Sequence, residues 1–169
     1  MSKITPCLWF EGEAEEAANF YVSLLSNSRI DQVQKNVTDS PAGKAGTALT
    51  VAFTLAGQRF LALNGGTRFE YTPAISFMVD CAHQAEVDRL WDALSDGGSA
   101  ERCGWVRDRY GVSWQIVPTV LPKLLGDRDT AKAQRVMQAM LQMGKLDIAR
   151  LEAAHAGQLS GATTTGEPQ

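Results

Sequence analysis

Residues 4–10, Ile-Thr-Pro-Cys-Leu-Trp-Phe, alternate in a way that sends Ile4, Leu8 and Phe10 to one side and Thr5, Cys7 and Trp9 to the other. A period of two marks a strand, and Pro6 is tolerated at a strand entry. From about residue 13 to 26 the period lengthens. Ala14, Ala17, Ala18, Tyr21, Leu24 and Leu25 form a helical stripe, and glutamates fill the first turn, where the helix dipole favours them. Residues 29–37 read as a strand and 38–46 as a loop holding Asp, Ser, Pro and two Gly. Two apolar strands, 48–55 and 58–64, flank Ala56-Gly57, a hairpin signal. The same order then recurs: a strand over 74–80, a helix over 84–95 with Val87, Leu90, Trp91 and Leu94 on one face, a glycine stop at 96–99, and strands over 100–108 and 112–118 around Arg109-Tyr110-Gly111. Strand, helix, then several strands, written twice, predicts an α+β fold of two similar halves.

The remainder differs. Helices are predicted over 120–125, 130–143 and 147–156. Met137, Met140, Leu141 and Met143 give the long one an apolar face that must cover either the protein's own sheet or a second subunit. Residues 160–169 are rich in Gly and Thr and are expected to be disordered. The expected divisions are a first module over 1–66, a second over 67–119, a helical extension over 120–157 and a tail over 158–169.

Composition narrows the function classes. With 169 residues, 44 % apolar, the chain is long enough for a real core. A net charge of −3 and no long basic run speak against nucleic acid and anionic membranes as partners. No apolar stretch approaches the roughly 20 residues of a membrane span. The opening residues run into a strand pattern, so no signal peptide is expected. Three widely spaced cysteines, Cys7, Cys81 and Cys103, without a CxxC pair, fit a reducing cytoplasm and no disulfide or zinc framework.

Three segments carry a family resemblance. Residues 4–21 contain Ile-Thr-Pro-Cys-Leu-Trp-Phe-Glu-Gly-Glu-Ala-Glu-Glu-Ala-Ala-Asn-Phe-Tyr. Residues 103–118 read Cys-Gly-Trp-Val-Arg-Asp-Arg-Tyr-Gly-Val-Ser-Trp-Gln-Ile-Val-Pro, and 137–152 read Met-Gln-Ala-Met-Leu-Gln-Met-Gly-Lys-Leu-Asp-Ile-Ala-Arg-Leu-Glu. Together they resemble the PhnB-like family of the glyoxalase/bleomycin-resistance/dioxygenase, or vicinal-oxygen-chelate, superfamily, whose members often carry the label 3-demethylubiquinone-9 3-methyltransferase. The resemblance implies two βαβββ modules forming a curved mixed sheet of half-barrels around a cleft, with C-terminal helices, and commonly a homodimer.

It also implies a test. Metal-dependent members hold a divalent cation through side chains from four strands, usually His and Glu. Here Cys7 stands where the first strand would carry His, residues 51–66 contain neither acid nor His, residues 74–76 are Ala-Ile-Ser, and Gln115 stands where Glu is common. The two histidines, His83 and His155, fall outside the candidate strands and read as surface residues. Neither a bound metal nor a cofactor is therefore expected. What remains is a ligand-binding cleft of Cys7, Trp9, Phe53, Ser76, Trp105 and Gln115, mostly apolar with a few orienting groups. Thr5, Ala74, Met78, Ser113 and Val117 share its strand faces. Cys7, Trp9 and Trp105 equally suit a plain core, whereas a buried Gln115 amide needs partners.

Other chemistry is thin. Cys7 as a nucleophile lacks a neighbouring histidine, and Lys3 is the nearby cation. Asp108 and Arg107 read as a turn carboxylate and an exposed cation more readily than as catalytic groups. No P-loop or GxGxxG pattern exists. The methyltransferase label conflicts with the absence of a parallel sheet with a Gly-rich first turn. Three functions remain: a metal-free small-molecule binder, an enzyme acting on a small metabolite through Cys7, Ser76 or Gln115, and an assembly or regulatory role for the Met-rich helix.

Overall fold

A computed structural model describes residues 3–158. The expected disorder of 160–169 lies outside the described residues. The chain divides into two compact units, Met1–Tyr71 and Thr72–Gln169.

The first unit runs β1 (Cys7–Phe10), α1 (Ala14–Leu24), β2 (Arg29–Lys35), β3 (Ala48–Leu55) and β4 (Gln58–Asn64). Its sheet order is β1-β4-β3-β2, with β1 parallel to β4 and the other pairs antiparallel. The β3–β4 hairpin turns on Ala56 and Gly57, both at positive φ, the geometry a two-residue hairpin loop needs. Helix α1 buries Ala14, Ala17, Ala18, Tyr21 and Leu24. The three alanines let the helix lie close to the sheet, and Tyr21 stacks on Phe53 with ring centroids 6.3 Å apart. Phe53 in turn stacks on Phe60 at 5.3 Å. Each such aromatic burial contributes about 1.5–3 kcal/mol. The helix N-terminus receives no cap from Glu13. Asn64 of β4 supplies one: its Oδ1 accepts from Ala14 N at 2.9 Å while its Nδ2 donates to Ala48 O at 2.9 Å. A buried amide thereby locks helix to sheet with its polar atoms satisfied.

The second unit repeats the topology. It runs β5 (Ser76–Cys81), α2 (Gln84–Ser95), β6 (Ser99–Ala100), β7 (Trp105–Arg107) and β8 (Ser113–Pro118), in the order β5-β8-β7-β6 with β5 parallel to β8. The α+β class and paired βαβββ order match expectation, and each sheet is open. The single strand expected over 100–108 is in fact two. Cys103 and Gly104 adopt positive φ, and their N–H groups donate to Met143 O and Gly144 O, both at 2.8 Å. A Cβ on Gly104 would meet Ile116 O at 2.8 Å, so only glycine fits this turn.

Helix α2 buries Val87, Leu90, Trp91 and Leu94. Its N-terminus is a reciprocal cap in which His83 Nδ1 accepts from Glu86 N and Glu86 Oε2 accepts from Ala82 N. At the β7–β8 turn the buried Asp108 carboxylate accepts Tyr110 N at 2.9 Å and Val112 N at 3.0 Å on one oxygen, and Trp114 Nε1 at 2.9 Å on the other. That is the physical content of the Asp-Arg-Tyr-Gly-Val-Ser-Trp run.

Three helices follow: α3 (Leu121–Leu125), α4 (Thr130–Leu141) and α5 (Ile148–Ala156). They pack on their own unit, where Val136, Met143, Leu146 and Leu151 form a cluster with Val117 of β8 and with Leu121. The expected continuous methionine face is divided. Helix α4 ends at Leu141, Met143 is buried beyond it, and Met137 and Leu141 are exposed. Gln84 fastens the α5 start, donating to Leu146 O and accepting from Ile148 N. Asp127 Oδ2 lies 2.7 Å from His155 Nε2, and Arg135 donates to Ala154 O and His155 O at the α5 C-terminus.

Two outcomes follow. Asp108→Asn keeps one acceptor oxygen and sets an amide N–H₂ against either Trp114 Nε1 or the two backbone donors, and should cost about 2–3 kcal/mol in urea unfolding. A change under about 0.5 kcal/mol would show the turn does not need the carboxylate. The Asp127 carboxyl is held below its ordinary 3.8 by the Asp129 N–H and then by the His155 ring. A depressed carboxyl stabilises above its unfolded value and loses that contribution as pH falls through the folded one. Amide exchange in α5, corrected for intrinsic rates, should therefore accelerate below pH 3.8, and Asp127→Asn should remove that dependence.

Candidate functional site

In each unit the helix after the first strand covers one face of the sheet, and strand alternation decides which side chains point to the other, here called helix-free although Val117 at the end of β8 packs with the C-terminal helices. In the first unit the register pairs Cys7 with Leu61 and Trp9 with Leu63, and then Leu63 with Thr50, Leu61 with Ala52 and Arg59 with Thr54. These residues form one helix-free face. Phe53 is not among them. Paired with Phe60 and 1 % exposed, it points at Tyr21 of α1. Its expected place in a cleft wall is corrected, because it alternates with Thr54 and belongs to the core. The Tyr21 helical stripe was the sequence signal that Phe53 had a partner on the other side.

Trp9 is half-buried and pinned. Its Nε1 donates to Thr67 O, its ring meets Phe69 edge-on at 5.2 Å, and Tyr71 donates to its carbonyl. The ring lies so close to Gly65 that a Cβ there would fall 1.7 Å from it. With its N–H already bonded, the indole can offer a ligand only surface. Cys7 is exposed as a residue, yet the strands around its sulfur remove enough water to push the thiol above its ordinary value. Both histidines of the chain lie in the second unit, so none in its own unit can act as a base.

In the second unit the register sets Ser76 beside Ser113, and Gln115 between Met78 on one side and Trp105 on the other. The structure brings three of the expected residues together here. Gln115 Nε2 donates to Ser76 Oγ at 2.9 Å, Trp105 is its half-buried neighbour, and Met78 is 61 % exposed. Gln115 Oε1 has no partner among the described residues and is available to a donor on a ligand. Asp108, one turn away, has both carboxylate oxygens occupied and nothing to offer. Arg107 is an exposed cation near Glu101 and Ser99.

The divalent cation associated with the superfamily does not fit these residues. A thiol on β1, an amide on β8 and a hydroxyl on β5 are a poor set for a hard cation. Among the described residues no three His, Cys, Asp or Glu side chains converge as ligands. Two depressions in the first unit were not anticipated. One, of about 660 Å³, lies at the α1 start and is lined by residues including Glu11, Glu15, Lys35 and Lys44. The other, of about 550 Å³, lies on the helix-free face among Arg29, Asp31, Gln32, Thr54 and Arg59. A β-bulge between Ile30 and Gln32 breaks the alternation there, and no sequence pattern announces it.

The family model described as 3-demethylubiquinone-9 3-methyltransferase matches residues 2–117, stopping one residue short of the end of β8. A solved structure of a Bacillus cereus protein, "Putative 3-demethylubiquinone-9 3-methyltransferase, PhnB protein", is 38 % identical, with 70 % of this chain and 100 % of that chain covered and a TM-score of 0.65. A Pseudomonas aeruginosa protein of known structure is 20 % identical, with 70 % and 98 % covered and a TM-score of 0.59, a likeness of fold alone. No curated protein matches the chain. No helix among the described residues is long and apolar enough to cross a membrane.

The thiol environment sets an outcome. At pH 7.5 iodoacetamide should label Cys7 more slowly than free cysteine. Cys81 should resist labelling in the native protein, its thiol pushed up to about 12 by burial and then by the Glu86 and Asp80 carboxylates. Mass spectrometry of timed samples reads both. Faster labelling of Cys7 than of free cysteine would reveal an activating group.

Proposed function

The chain belongs to the 3-demethylubiquinone-9 3-methyltransferase family, PhnB-like proteins of the vicinal-oxygen-chelate superfamily, and from that premise we propose that it binds a small molecule on the helix-free faces of its sheets without a chelated metal. The observation that carries this reading is the Gln115–Ser76 pair, 2.9 Å apart beside exposed Met78 and half-buried Trp105. The charged residues of this face, Asp80 and Arg107, stand two residues along from Met78 and Trp105 on their strands, outside the Gln115 neighbourhood. Here a bonded amide keeps one acceptor free amid apolar surface, the arrangement that orients a ligand. The donor set argues against a metal-held substrate, because thiol, hydroxyl and amide do not replace His and Glu. Methyl transfer of the common adenosyl-methionine type finds no support either: it uses a parallel sheet with a Gly-rich first turn, and each sheet here has one parallel pair and two antiparallel ones.

An NMR titration against a library of small polar-aromatic fragments tests the reading. Amide shifts should cluster on the helix-free residues of β5, β7 and β8, and Gln115→Ala should weaken those binders about tenfold. Titration with Zn²⁺ or Mn²⁺ should leave the Gln115 side-chain amide unmoved. Fragments that shift no helix-free residue in either unit, or a divalent cation bound with micromolar affinity at Cys7 or Gln115, would overturn it.

A further inference from the structure

The depression on the first unit's helix-free face has a definite charge pattern. Register pairs Arg29 of β2 with Thr54 of β3, and Thr54 with Arg59 of β4. Arg29, Thr54 and Arg59 therefore stand in one row across three strands, a guanidinium on each side of a hydroxyl. Neighbouring strands lie about 4.8 Å apart, so the two arginine backbones are about 10 Å apart, a span two long side chains can close around one small group. The bulge adds two consecutive residues, Asp31 and Gln32, to the same depression. Asp31 is fully engaged: one carboxylate oxygen lies 2.8 Å from Arg29 Nε, and the other accepts from Thr54 Oγ1 at 2.7 Å. That carboxylate neutralises Arg29 and holds it in place. Arg59 makes no ion pair among the described residues, and the depression is left with one uncompensated positive charge. The Asn27 and Gln32 amides complete a lining rich in donors.

We propose that the Arg29–Thr54–Arg59 row is a binding site for a small oxyanion, a carboxylate or a phosphate monoester, with Arg59 as the recognising cation and Asp31 as the positioning residue for Arg29. The proposal rests on the reading of the helix-free faces as ligand surfaces and names the chemistry of one of them. A guanidinium presents paired N–H donors matched to two oxygens of either head group. A depression of about 550 Å³ accepts an anion carrying an aromatic ring. The other depression has no such bias, because Glu11 and Glu15 balance Lys35 and Lys44 among its lining residues.

Three probes with one body and different heads test this: benzoate, phenyl phosphate and benzamide, titrated at low ionic strength into the full chain and followed by amide and arginine Nε–H shifts. Benzoate, phenyl phosphate or both should shift Arg59 and Thr54, the preferred one identifying the head group, and benzamide should not. Arg59→Ala should weaken the anion at least about tenfold, while Arg150→Ala, an exposed arginine on α5 of the other unit, should leave it unchanged. Arg59 is exposed, so its replacement should keep the melting temperature, and Arg59→Lys should restore part of the affinity. Benzamide binding as well as the anions, or Arg59→Ala without effect on them, would overturn the oxyanion site and leave the ligand-surface reading standing. No shift on any helix-free residue with any of the three probes, or with the fragment library, would overturn both.

Discussion

One constraint organises each unit: a four-stranded sheet buries one of its faces under the helix that follows its first strand. The helix is 11 residues long in the first unit and 12 in the second. Side chains alternate along every strand, so each strand contributes one set of residues to the helix-packed core and another to a face the unit's own helix does not cover. Val51, Phe53, Phe60 and Ala62 fall in the first set, and Cys7, Trp9, Ala52 and Thr54 in the second. Core and candidate site are two readings of the same strands, one residue apart.

Because the helix-packed side must be dry, the polar groups caught there are few and fully engaged. Asn64 closes the start of α1 and Asp108 closes the β7–β8 turn, while half-buried Gln84, at the margin, ties α2 to the segment before α5. Each bridges groups far apart in sequence or absorbs several backbone donors at once. Among the described residues no buried side-chain nitrogen or oxygen lacks a partner. A buried polar group left unbonded would cost about 1–3 kcal/mol, so these three residues are placed where the fold needs a bridge and are unavailable for chemistry.

The helix-free faces show the opposite economy. Gln115 spends one amide hydrogen on Ser76 and keeps its oxygen, and Arg59 keeps its charge. Trp9, by contrast, is committed to the 65–71 segment. Asp80 and Arg107 carry charge at the margins of the second face, whereas beside Gln115 the available groups are neutral donors and acceptors, and beside Thr54 a guanidinium. They suit orientation and charge recognition of a small molecule better than nucleophilic attack or chelation of a hard cation.

The amino-acid sequence alone determined the element order, the α+β class and the family, because periods of two and 3.6 and a turn built on Asp, Tyr and Gly are local signals. It also placed Ser76 and Gln115 on matching strand faces, since alternation carries across a strand pair once the pair is known, whereas the place of Trp105 beside Gln115 came from the β7–β8 register. Tertiary structure decided the rest. Phe53 moved to the core because its partner, Tyr21, lies 32 residues away on a helix. The strand expected over 100–108 became two because Met143 and Gly144 accept its N–H groups from beyond the sheet. The Arg29–Thr54–Arg59 row emerged only from a hairpin register and a bulge, which the composition of β2 does not encode. Periodicity tells which residues share a side of one strand, and only hydrogen-bond register tells which strands set those residues next to each other.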